Sequence, residues 1–183
     1  RNINRITEHD LAFSRDEVRQ FFDNIVSHSL HENDLDCLYT KTSGWISGLI
    51  LFSQILAENR GEKISGKIKN FSGHHKDIFC YFDENAFSDL PGHIRDFLLK
   101  TSILDGPGID FCNRFLQIDN TGEIVCWLED HHIFTISCDE PEDSFCYHPL
   151  FKEYLEAKLK ITFKPADLAK LFGYAARLFE ICI

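Results

Sequence analysis

Among the side chains able to do chemistry, His148 has the most informative surroundings, Cys146-Tyr147-His148-Pro149-Leu150-Phe151. Proline is favoured in the first turn of a helix, so Pro149 predicts a helix beginning directly after His148. The start of a helix stabilises anions, and an imidazole held there can donate a hydrogen bond to a phosphate oxygen. A purely structural or capping histidine is the competing reading of the same spacing. The pairs His74-His75 and His131-His132 suit a metal poorly, because neighbours on a helix point about 100° apart. They read as surface or capping residues, with His131 and His132 ending a helix where a cationic imidazole is favoured. Seven cysteines are scattered without a CxxC pair. Their apolar neighbours, as in Phe79-Cys80-Tyr81 and Val125-Cys126-Trp127, predict small core residues in a reducing cytoplasm. No GxxxxGK(S/T) phosphate loop, GxGxxG turn after a strand, HExxH or GxSxG sequence occurs. The residues recommend no enzymatic reaction and no metal.

The elements that would position these residues are mostly helical. Ser14 with Glu17 makes a capping-box pattern, and Val18, Phe21, Phe22 and Ile25 follow at helical spacing, predicting a helix over 15–28. Helices are expected at 32–42 and from Gly44, the latter carrying Trp45, Leu49, Phe52, Ile55 and Leu56 and ended by Asn59-Arg60-Gly61, with Gly61 as its C′ residue. Residues 62–72 read as a linker or weak helix. Helical spacing resumes at Lys76, and Pro91 opens a further helix with Ile94, Phe97, Leu98 and Ile103 inward. Gly106-Pro107-Gly108 is a break, followed by helices at 109–116 and 121–130. The period then changes to two: Phe134, Ile136 and Cys138, a turn at 139–143, then Phe145 and Tyr147 predict a hairpin over about 133–147. Helices return at 149–160 and 166–182, the last with Leu168, Leu171, Phe172, Ala175 and Phe179 inward and Ala175-Ala176 permitting close packing.

The expected fold is mainly α: a helical module over 1–75, a winged-helix domain over 76–160 with one β-hairpin, and the start of a helical repeat region at 161–183. Residues 91–147 carry the winged-helix order of three short helices and a two-stranded ribbon. Charge limits what such a unit can do. With 19 Lys and Arg against 29 Asp and Glu, the net charge is −10. Residues 119–130, the third helix of the winged unit, hold Asp119, Glu123, Glu129 and Asp130 and no Lys or Arg. A helix that reads DNA needs Arg, Lys, Asn or Gln toward the bases, and four carboxylates repel phosphates. Contact with protein is therefore expected of this unit, with direct DNA binding and a nucleotide-free interaction scaffold as the alternatives. The most apolar run, Trp45 to Leu56, is too short and too interrupted to span a bilayer, so no membrane association is expected. Met is absent even at position 1, and the chain reads as an excised piece of something longer.

Several segments, in order, resemble one family. Asp10-Leu11-Ala12-Phe13-Ser14 with Glu17 is similar to a DLRFS-xxE helix start, and Thr40-Lys41-Thr42-Ser43-Gly44-Trp45-Ile46-Ser47-Gly48-Leu49 resembles a T-x-GW-x-x-GL segment. Phe71-Ser72-Gly73 before Ile78-Phe79-Cys80-Tyr81-Phe82 and Glu84 resembles an FSG element. Asp96-Phe97-Leu98-Leu99-Lys100-Thr101-Ser102-Ile103-Leu104 is close to a DFLL-x-TSIL signature, Trp127-Leu128-Glu129 with Ile133-Phe134 resembles a helix-to-strand step, and Tyr147-His148-Pro149-Leu150-Phe151 with Tyr154-Leu155 resembles YHxLF-x-x-x-L. Together they identify the chain as similar to the arm of MalT-like, LuxR-family transcriptional regulators, in the STAND class of signalling ATPases.

The resemblance implies a noncatalytic regulatory arm that couples the nucleotide state of an ATPase core, outside this chain, to a sensor region. Those two parts are its implied partners. ADP or ATP with Mg is implied for the whole regulator and no cofactor within the chain itself. DNA would be bound only through a C-terminal helix-turn-helix elsewhere. His148 matches the winged-helix histidine that contacts the ADP phosphate in related proteins. Gly44, Trp45 and Ile46 match a GLP segment near adenine, with Ile46 standing where that segment has proline.

Overall fold

The computed structural model describes residues 11–26, 29–58, 63–138 and 143–182. They form helices α1 (Arg15–Gln20), α2 (Glu32–Thr42), α3 (Ile46–Glu58), α4 (Ile64–Asn70), α5 (Lys76–Phe82), α6 (Gly92–Thr101), α7 (Ile109–Leu116) and α8 (Thr121–Asp130). Strands β1 (Thr135–Cys138) and β2 (Ser144–Tyr147) follow, then α9 (Pro149–Thr162) and α10 (Pro165–Cys182). Both α1 and α5 run into a wider π turn, Phe21–Ile25 and Asp83–Phe87 respectively. The chain divides into two compact units, 1–78 and 79–183. The mainly helical class with one hairpin is what the spacing predicted.

In the first unit, Ser14 caps α1 through the predicted capping box, its backbone N–H donating to Glu17 at 2.8 Å. Val18, Phe22, Leu35, Leu38, Leu49, Phe52, Ile68 and Phe71 are buried, and Phe52 packs between Phe22 and Phe71 at ring separations of 6.0 and 5.0 Å. On the solvent side Arg15 and Arg19 both pair with Glu32 at 2.7 Å, and Arg15 with Asp36 at 2.5 Å, joining α1 to α2. The stretch read as a linker or weak helix contains α4. It is ordered by Lys67, whose buried ammonium donates to the carbonyls of Ile55 at 3.3 Å and Leu56 at 2.9 Å. Those carbonyls lie in the last turn of α3, where helix geometry leaves acceptors without intrahelical donors and favours a cation. The predicted C′ residue Gly61 lies outside the described residues.

In the second unit α6, α7 and α8 precede the hairpin, whose antiparallel register pairs Thr135 with Tyr147 and Cys138 with Ser144. A further bridge joins Gly108 to Ser144, with the Phe145 N–H donating to the Pro107 carbonyl at 3.3 Å and the Ile109 N–H to the Asp143 carbonyl at 2.9 Å. The Gly106–Gly108 break thus adds a short third arm to the ribbon. Most of the predicted turn, 139–142, lies outside the described residues. Helix α8 ends in a Schellman motif: His132 takes φ +54°, its N–H reaches the Glu129 carbonyl at 3.0 Å, and the Ile133 N–H reaches Leu128 at 2.9 Å. Phe82, Phe145, Leu150, Phe151, Tyr154 and Leu155 are fully buried. Tyr154 and Lys158 hold Asp83 of the π turn at 2.7 and 2.5 Å, and the Lys158 ammonium lies 5.6 Å from the rings of both Phe79 and Phe87.

Three expectations need correction. Of the five cysteines whose side chains are described, only Cys112 is a core residue, its thiol pushed by burial up to about 12. Cys80 and Cys126 are exposed, because sequence neighbours on a helix point in different directions and an apolar neighbour says nothing of a residue's own face. On α10, Phe172 and Phe179 are 48% and 44% exposed while Ala175 is buried. The face toward α7 is instead set by Tyr174, whose hydroxyl donates to the Arg114 carbonyl at 3.3 Å, and by one side of Phe179, stacked 4.4 Å from Phe111. Ala176 is exposed and makes no close helix seam. Finally, Ile103 is only half-buried and Leu104 takes the inward position.

Candidate functional site

His148 is the N-cap of α9, with Pro149 at the first helical position as predicted. Its backbone is fixed on both sides: the N–H donates to the Phe134 carbonyl at 2.9 Å and the carbonyl accepts from the Lys152 N–H at 2.9 Å. The ring is 8% exposed, lies edge-on to Phe134 at 6.1 Å and makes no side-chain capping bond. One turn along, Lys152 pairs with the exposed carboxylate of Asp105. A cleft of about 270 Å³ opens there, bounded by Asp105, Pro107, Pro149 and Lys152. The start of α9 and the Lys152 ammonium, paired with Asp105, border this cleft, and N–H donors of this kind suit a phosphate oxygen.

The two strongest sequence signatures meet just behind His148. Thr101 of the TSIL run and Tyr147 share a buried hydrogen bond of 2.7 Å. The Thr101 hydroxyl spends its single proton on the Phe97 carbonyl at 2.7 Å, so Tyr147 is the donor to it. Burial, the leading cause, drives the Tyr147 phenol well above the ordinary range and keeps that proton in place. Ser102 is also buried and donates to the Leu99 carbonyl at 2.8 Å. These residues tie α6 to the strand that delivers His148. Their pairing across 46 positions was the part the sequence could not announce.

Gly44, Trp45 and Ile46 lie in the first unit, at the start of α3. Gly44 takes φ +75°, and a Cβ there would stand 2.0 Å from the Phe13 carbonyl oxygen. Its own carbonyl accepts from the Phe13 N–H at 2.9 Å. Glycine is thus required by this close approach. Trp45 is half-buried, resting on Gly48, where a Cβ would meet the indole at 2.5 Å. Ile46 is 36% exposed.

His131 is fixed by an Nδ1–H bond to the Trp127 carbonyl at 2.8 Å and stacks on the Trp127 ring at 3.8 Å, in keeping with a capping histidine. Among the described residues no cluster of His, Cys, Asp or Glu could hold a metal ion, and no helix is long and apolar enough to cross a membrane. Asp119, Glu123 and Asp130 are exposed around α8, the helix that would face DNA in a nucleic-acid-binding winged helix.

Comparison with known proteins agrees with this architecture. Residues 83–167 match the family model of the MalT winged helix domain. Over 150 residues, 81% of the chain, it is 26% identical to the HTH-type transcriptional regulator MalT of Yersinia pestis and 27% identical to that of Yersinia enterocolitica. The chain spans 16% of the length of these relatives. By fold and by sequence, residues 83–167 resemble the MalT winged helix domain, and the chain is similar to MalT over most of its length.

Proposed function

We propose that this chain is the noncatalytic arm of an ATP-dependent transcriptional regulator, relaying the nucleotide state of an ATPase core in the longer protein to its sensor region. The observation that carries this reading is the placement of His148 at the N-cap of the Pro149-initiated helix. A bound ADP would supply phosphate charge for which the first turn of α9, the His148 imidazole and Lys152 are suitable donors. His148 would hold a proton toward a phosphate oxygen. Its backbone bonds to Phe134 and Lys152 fix where the side chain leaves the main chain, and the edge-on Phe134 ring packs against the imidazole, so binding loses little to reorganisation. Trp45 and Ile46 are separate candidates for nucleotide contact through the apolar surface of the first unit, while Gly44 only shapes the turn before them. A regulator switches by binding a ligand differently in two states, so ADP held by this corner would favour the state in which arm and core are closed. Helix α10 would begin the sensor region. Its exposed Phe172 supports this, because stacked helical repeats bury such residues against the next repeat.

The test is His148→Ala in the longer protein. ADP retention should weaken roughly tenfold, the effect of losing one charge-assisted hydrogen bond worth about 1.5 kcal/mol, and basal transcription should rise. Unchanged ADP affinity removes the role given to His148. A longer protein without a GxxxxGK(S/T) loop ahead of this chain overturns the ATPase reading altogether.

A further inference from the structure

A second cleft, of about 320 Å³, lies in the winged unit between the π turn with the loop after it and the C-terminal end of α8. Its apolar walls are Phe87, Leu90, Pro91, Trp127 and Ile133, with Asn85 and His131 also lining it. Trp127 is a preset aromatic plate, because the stacked His131 is itself tied to the Trp127 carbonyl. Glu84 and Asp89 stand at the walls, both exposed and both outside any ion pair among the described residues. No Lys or Arg lines the cleft. The outer face of α8 continues the same sign with Glu123 and Asp130.

This combination selects an occupant. The volume is at the lower end for a small-molecule site and suits one or two side chains. The unneutralised carboxylates repel nucleic acid and attract a cation. An aromatic plate beside two carboxylates favours Arg over Lys, because a guanidinium stacks on an indole and bonds a carboxylate with two parallel N–H groups. We propose that this cleft docks an arginine-bearing segment of another protein, with an apolar side chain against Phe87, Leu90 and Ile133 and a guanidinium between Trp127 and Glu84 or Asp89. This surface needs the opposite ligand charge from the His148 corner and stands or falls separately from it.

The 183-residue chain is titrated into three labelled peptides, GRLRG, GKLKG and GELEG, and anisotropy is followed. Saturable binding is expected for GRLRG, weaker binding for GKLKG and none for GELEG, with affinity falling as salt rises. The double variant Glu84→Gln, Asp89→Asn changes exposed groups without altering size, and should lose roughly tenfold in GRLRG affinity. Trp127→Ala should lose a similar factor. Equal binding of the three peptides, unchanged affinity in the double variant, or retention of duplex DNA in place of GRLRG would each overturn the proposal.

Discussion

The shared hydrogen bond between Thr101 and Tyr147 gives an asymmetric prediction at the scale of single residues. Tyr147→Phe removes one bond and leaves Thr101 still donating to Phe97, so it should cost about 1 kcal/mol. Thr101→Val leaves the Tyr147 proton buried with no acceptor and should cost about 1–3 kcal/mol. In the double variant neither group remains to be orphaned, and the cost should be well below the sum. Urea denaturation of the four proteins measures this; strict additivity would refute the pairing. Gly44 gives a simpler case. Gly44→Ala meets the Phe13 carbonyl oxygen at 2.0 Å and a positive φ, and should cost upwards of about 2 kcal/mol. The signatures containing these residues were visible in the sequence, as was the place of His148 before Pro149. What each residue does was not. Whether a threonine answers a tyrosine 46 positions away depends on tertiary packing, which no local pattern encodes. The exposed Cys80 and Cys126 were misread for the same reason: flanking apolar residues report the composition of a segment, not which face a side chain occupies.

Helix ends and helix faces differ in how well local chemistry announces them. Helices α2, α7 and α8 fall at their expected limits because their termini are marked, by Gly108 before α7 and by the end of apolar spacing in α2 and α8. The π turns were not foreseen, since one extra residue in a turn leaves the apolar spacing almost unchanged. Helix α4 was nearly missed because its organising residue is a lysine, buried only because α3 offers it two carbonyls. Between α1 and α2 the sequence gives charges but not their pairing. Hydrogen bonds from Arg19 and then Arg15 hold the Glu32 carboxyl down at about 2, against an ordinary 4.5. Burial pushes Asp83 up, yet bonds from Lys158 and Tyr154 outweigh it and hold its carboxyl below the usual range. Both groups are depressed in the folded chain, so the folded state binds fewer protons than the unfolded one between the two values. Their stabilisation is complete above the ordinary carboxylate range and is lost as pH falls through the folded values, which for Glu32 means from about 4.5 toward about 2. Glu32→Gln should therefore flatten the acid limb of the stability-against-pH curve while lowering stability at neutral pH. Urea midpoints measured across that window check it; an unchanged slope would show the arginine clamp to be energetically silent.

For the whole molecule, the decisive quantity is where the negative charge sits. A net charge of −10 alone permits a local basic patch, and many winged helices bind DNA through one. Here Asp119 just before α8 and Glu123 and Asp130 on it stand in solvent, and the cleft beside it adds Glu84 and Asp89. A phosphate backbone approaching that surface would release few counterions and meet several like charges. The corner at His148 does not offset this, since it offers one helix start and one lysine already paired with Asp105. A site of that size suits a single phosphate group better than a duplex. Contact with protein suits the α8 face of the winged unit better than contact with a duplex. Titrating the 183-residue chain with duplex DNA at low salt should give no saturable retention. Salt-sensitive binding, steep in the manner of several phosphate contacts, would instead place a DNA surface on this chain. Reversing Glu123 and Asp130 to Lys should then be the change that creates such binding, because it removes the repulsion where a winged helix meets the groove.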